Sequence, residues 1–234
     1  MSFKTTRYRL PAWLAFGLPL ALWIYTYIDH GFFLSSGVNV YREYRLIENL
    51  TVAFLLLAII FLVLCFKQTM SRVEKIWIAV LCLGAIYFMG EEISWGYHFM
   101  SHPPVDPWGG INEQGEPNLH NLPGIYGTVF DRLPRQLLSI GVIVGGLLGL
   151  WVDRREEWPR TSLLRRLVPG GDTWLVAVLA SLVAVPEKVL DHILVRTPQI
   201  FVLGNDAGEL KECLLALFIA FYAYGLRHNL RRKD

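Results

Sequence analysis

Six apolar runs, each close to the length a helix needs to cross a bilayer, constrain this 234-residue chain more than any other feature. They fall near residues 11–29, 46–66, 76–99, 133–152, 173–194 and 207–226. A helix rising 1.5 Å per residue needs ~20 apolar residues to span a ~30 Å hydrocarbon core. Hydrophobic residues make up 53% of the chain, charged residues 18%, and the mean hydropathy is +0.38, too apolar for an ordinary soluble domain. The sequence therefore predicts an all-α, polytopic transmembrane bundle of about six spans, folded as a single integral membrane domain over 1–234. The first run contains Trp13 and Trp23, lacks a small-residue cleavage site and reads as a retained helix.

Charge sets the expected orientation. Lys and Arg accumulate in cytoplasmic loops. With the N-terminus inside, 15 of the 22 basic residues fall on the cytoplasmic side, so both termini are expected there. Of the 20 acidic residues, 14 fall on or near the outer side. Acidic residues contribute little to insertion, so this second asymmetry points to an outward-facing cation or acid/base site. The connection 101–132, rich in Pro, Gly and Asn, is expected to fold over the outer helix ends. Cys65, Cys82 and Cys213 lie inside the runs without metal-ligand spacing and read as apolar packing residues.

The carboxylates within the runs carry the functional signal. Glu91 and Glu92 interrupt the third run, where a charge at membrane depth costs several kcal/mol and normally marks a functional site. Other polar groups converge on the same expected end: Asp29, His30, Glu48, Asn49, His98, Asn118, His120, Asn121, Glu187, Asp191, Glu209 and Glu212. Adjacent carboxylates on a helix diverge by ~100°, so only one of Glu91 and Glu92 can centre the pocket. A continuous helix would align Glu91 with Tyr87 and His98, and Glu92 with Trp95, which favours Glu91. The expected catalytic residues are Glu91, Glu92 and His120. A divalent metal is the expected cofactor, held by a set drawn from Glu91, His120, Glu187, Asp191, Glu209 and Glu212. Trp95, His98, Trp108, Asn118 and Asn121 would line the substrate pocket. No HExxH, paired ExxH or CxxC motif is present.

The pair Gly90-Glu91-Glu92-Ile-Ser-Trp-Gly96 and Asn118-Leu-His-Asn121 is similar to a motif pair of a bacterial multi-pass membrane protein family. That resemblance covers about residues 90–121 and implies a membrane protein without implying an activity. The two glutamates also resemble the first motif of the CAAX-processing and bacteriocin-processing intramembrane proteases. Gly96 stands where that family carries arginine.

Three functional classes follow. The first is a metal-assisted hydrolase or transferase at the extracytoplasmic leaflet, acting on a lipid, lipid-linked or membrane-peptide substrate. The second is a non-catalytic membrane assembly subunit, and the third a proton- or cation-coupled transporter. Location in the bacterial inner membrane is expected. The basic segments read as topology determinants and anionic-lipid contacts, with no nucleic-acid partner. Gly141, Gly145 and Gly149, four residues apart, form a stripe suited to close packing within the chain or to a homodimer. Pro186 inside the fifth run predicts a kink or break.

Overall fold

The computed structural model describes residues 9–36, 46–68, 70–100, 119, 122–155, 162–183, 185, 186, 189, 193, 203 and 205–231. Among these the fold is all-α, with no strand. The helices are α1 (Leu18–Ser36, entered through a π turn Trp13–Gly17), α2 (Leu46–Cys65), α3 (Arg72–Glu92) and α4 (Gly124–Gly127). A second π turn, Thr128–Arg132, joins α4 to α5 (Leu133–Arg154), and α6 (Leu163–Leu167), α7 (Trp174–Leu182) and α8 (Asn205–Arg231) complete the series.

Among the described residues, three helical stretches are long and apolar enough to cross a membrane: Leu46–Cys65, Arg72–Glu92 and the continuous Gly124–Arg154. Their apolar residues are on the outside as well as the inside. Along α3, Val73, Ile76, Val80 and Leu83 are exposed at helical spacing, while Ile78, Cys82 and Ala85 face inward. On α5, Leu137, Ile140, Val144 and Leu147 are likewise exposed. Surface this continuously apolar has no place in water and suits lipid contact. The chain is a membrane protein of helical type.

At the centre stands α8, in which every residue from Glu212 to Ala223 is buried. At 27 residues it is about 40 Å long. It packs chiefly against α2, and also against α7, α1 and α5.

Prolines set several boundaries. Pro134 has no N–H for the Phe130 carbonyl one turn earlier, and the π turn occurs there. The Tyr87 hydroxyl donates to that carbonyl at 2.8 Å, tying α3 to the start of α5. Pro186 likewise has no donor for Leu182, the last residue of α7. The helix α7 ends there, with Val183 a turn residue, while 185 and 186 are again helical.

Helix boundaries differ from the expected ones: α1 runs on to Ser36, and the last helix spans Asn205–Arg231. The helix of the third run ends at Glu92, because Ser94, Trp95 and Gly96 have φ of 45°, 52° and 86° and cannot continue a right-handed helix. The last third of the expected outer loop, from Gly124 on, is helical and extends α5. Of the glycine stripe of α5, Gly145 and Gly149 pack within the chain, as does Gly146 beside them. A Cβ on Gly146 would meet the Ala177 Cβ at 2.7 Å, and one on Gly149 the Pro169 carbonyl oxygen at 2.5 Å. Gly141 has nothing within 4 Å.

Candidate functional site

Helix ends bring the site together. Glu92 closes α3, and Glu209 and Glu212 lie one turn apart in the second and third turns of α8. One carboxylate oxygen from each comes within 4.8 Å of the others. From the opening turns of α5, Arg135 reaches in and pairs with Glu212, Nη2 to Oε1 at 2.9 Å. Glu48, in the first turn of α2, also acts on Glu92 electrostatically. Four helices thus supply charge to one end of the bundle.

Electrostatics limit what this cluster can be when empty. Two ionised carboxylates about 5 Å apart repel by about 3 kcal/mol at an effective dielectric near 20. Three such pairs act within the cluster, and the Arg135 guanidinium on Glu212 offsets part of that repulsion. Repulsion of this kind is lowered by a nearby cation or by protonation of one carboxyl. All-oxygen donors suit hard cations such as Mg²⁺, Mn²⁺ or Ca²⁺. Glu212 keeps 8% of its surface, so the cluster sits at the boundary of the core.

Glu91 has a different environment. It is 5% exposed, its Oε1 accepts from Trp95 Nε1 at 2.6 Å, and its Oε2 accepts from the Leu119 backbone N–H at 2.7 Å. The left-handed residues Ser94 to Gly96 fold the chain back, so that the Trp95 ring lies over Gly90. A Cβ at Gly90 would come within 2.8 Å of that ring. Tyr87 completes the packing, 6.3 Å from the Trp95 ring centroid. Glu91 therefore fastens two backbone segments, while Glu92 faces Glu209 and Glu212. The expectation that Glu92 shares its face with Trp95 assumed a helix continuing to residue 98. The helix stops at 92, so Trp95 returns to Glu91 instead.

A further contact of the same end joins α1 to α8, where His30 Nδ1 lies 2.8 Å from Asp206 Oδ2. Of the expected site residues, the structure brings together Glu92, Glu209 and Glu212, with Glu91 and Trp95 forming the adjoining fastening. His120, Asn118, Asn121, Trp108, Glu187, Asp191 and the His98 side chain lie outside the described residues. Sequence reasoning passed over Arg135 and Asp206 as site components. Their signal was an ionisable residue at the mouth of an apolar run, the same one that singled out Glu91 and Glu92.

No protein-family model, curated protein or solved structure matches the chain.

Proposed function

We propose that this chain is a six-span protein of the bacterial cytoplasmic membrane, with both termini inside and a divalent-cation site at the extracytoplasmic leaflet. It serves there as a metal-assisted hydrolase or transferase on a lipid, lipid-linked or membrane-peptide substrate. The observation that carries this reading is the approach of Glu92, Glu209 and Glu212 within 4.8 Å of one another at a helix-bundle end. The three carboxylates would hold the ion. A bound divalent ion would polarise a substrate oxygen or lower the pKa of a bound water. Arg135 is placed to meet an anionic group beside it. His120 follows Leu119, whose N–H is bonded to Glu91, and is the acid/base candidate supplied by the sequence.

The competing reading is a non-catalytic assembly subunit. It draws on the Arg135–Glu212 ion pair, which gives the cluster an internal counter-charge. Metal content decides between them. Detergent-purified protein is exchanged into buffers containing Mg²⁺, Mn²⁺, Ca²⁺ or Zn²⁺, desalted and measured by mass spectrometry. Stoichiometric retention that is lost in Glu92→Gln and Glu209→Gln supports the metal site and justifies lipid and peptide turnover assays. Equal metal content in wild type and both folded variants removes it.

A further inference from the structure

The end of the bundle opposite the carboxylate cluster has the reverse arrangement of charge. Its acidic residues among those described are Glu74, Asp153 and Asp172, and all three are used inside the protein. Glu74 is fully buried, where one oxygen accepts from Ser71 N and Oγ at 2.7 and 2.8 Å and the other pairs with Arg166 Nε at 3.0 Å. Asp153 accepts from Gly171 N at 2.8 Å, and Asp172 accepts from Leu10 N. Tyr222 closes the same end, accepting from Trp77 Nε1 at 2.7 Å and donating to the Leu167 carbonyl. These bonds tie the ends of α3, α5, α6 and α8 into one face.

Arg166 apart, six basic residues of that face point the other way. Lys67, Arg72, Lys75, Arg154, Arg155 and Arg231 are all exposed. They stand directly beyond apolar surface: Phe66 beside Lys67, Val73 and Ile76 beside Arg72 and Lys75, and Trp151 under Arg155, whose guanidinium lies 4.9 Å from the ring. Cations at the rim of a lipid-facing band sit at headgroup depth. Among the described residues, the carboxylates at this end, Glu74, Asp153 and Asp172, bond to Ser71, Gly171 and Leu10 rather than to these cations.

We infer that this face is a docking surface for anionic phospholipid headgroups, with the acyl chains lying on the apolar band beside it. Charge complementarity selects the headgroup, and continuity with the lipid-facing surface selects a lipid over a soluble phosphate. The inference stands independently of the carboxylate site at the other end.

The test is thermal unfolding of the full chain in a neutral maltoside detergent, titrated with dioleoylphosphatidylglycerol, dioleoylphosphatidylcholine or inorganic polyphosphate. Phosphatidylglycerol is expected to raise Tm by several degrees more than phosphatidylcholine, and the excess is expected to vanish in high salt. K67Q/R72Q/K75Q should lose most of the excess. R155Q/R231Q, which leaves the α2–α3 link intact, should lose part of it and serves if the triple variant does not fold. Equal shifts from the two lipids, a polyphosphate shift matching that of phosphatidylglycerol, or both variants responding as wild type would overturn the inference.

Discussion

At the scale of single residues, the adjacent glutamates have separate tasks, and substitution distinguishes them. Glu91→Gln puts an amide donor or a single acceptor where two N–H groups need two acceptors. Hydrogen exchange at Leu119 should accelerate at least tenfold, equivalent to about 1.4 kcal/mol of lost protection, while metal affinity changes little. Glu92→Gln should do the reverse, with affinity falling on the order of 10–100-fold, since even the outer partners of metal ligands cost that much. Gly90→Ala forces the Trp95 ring away from a Cβ only 2.8 Å off. It should destabilise the fold by about 1–3 kcal/mol, as overpacking does, and should also loosen Leu119. A calorimetric or fluorescence melt together with exchange mass spectrometry reads both effects. Equal exchange at Leu119 in wild type and Glu91→Gln would refute the fastening role.

At the scale of elements, helix boundaries are set by residues with a specific backbone reason. Ser71-Arg-Val-Glu74 is a capping box, and both of its reciprocal bonds form at the start of α3. This signal was present in the sequence, but Glu74 there counted only as one more charge on the cytoplasmic side. In the structure it also anchors α6 through Arg166. Glu74→Ala should cost about 2–4 kcal/mol, since it removes the cap and leaves Arg166 without its carboxylate. Ser71→Ala should cost only about 1 kcal/mol. The glycines of α5 give a parallel test. Gly149→Ala drives a Cβ against backbone oxygens at 2.5 and 3.0 Å, which cannot rotate away, whereas Gly141→Ala meets open space. The first should lower Tm by several degrees and the second should leave it unchanged or raise it, through the higher helix propensity of alanine. Similar melts for the two would mean that the contact between α5 and the Pro169-Gly170 turn does not hold the helices together.

At the scale of the whole molecule, the two ends of the bundle have opposite character. The carboxylates gather at one, and at the other the acids among the described residues bond within the protein beneath exposed cations. Under the proposed topology, single cysteines placed at Arg9, Arg155 and Arg231 should react with an impermeant maleimide only from the cytoplasmic side, and one at Tyr126 only from the outside. The native thiols, Cys65, Cys82 and Cys213, are buried and should contribute little background. Labelling of Arg155 and Tyr126 from the same side would rule out that topology.

Composition and the spacing of apolar runs were enough to specify an all-α membrane protein, because a bilayer tolerates a spanning segment only when its backbone is satisfied internally and its side chains are apolar. The gathering of carboxylates at helix ends was also legible, since charge is too costly within an apolar run to be incidental. Which of the two glutamates faces Glu209 and Glu212 was not legible. It depends on three left-handed residues that end α3 at Glu92, and periodicity arguments assume a helix that continues. Nor could the sequence rank six similar runs. Burial depends on neighbours, and only tertiary packing put α8 at the centre and made Arg135 the counter-charge of Glu212 across 77 residues of chain.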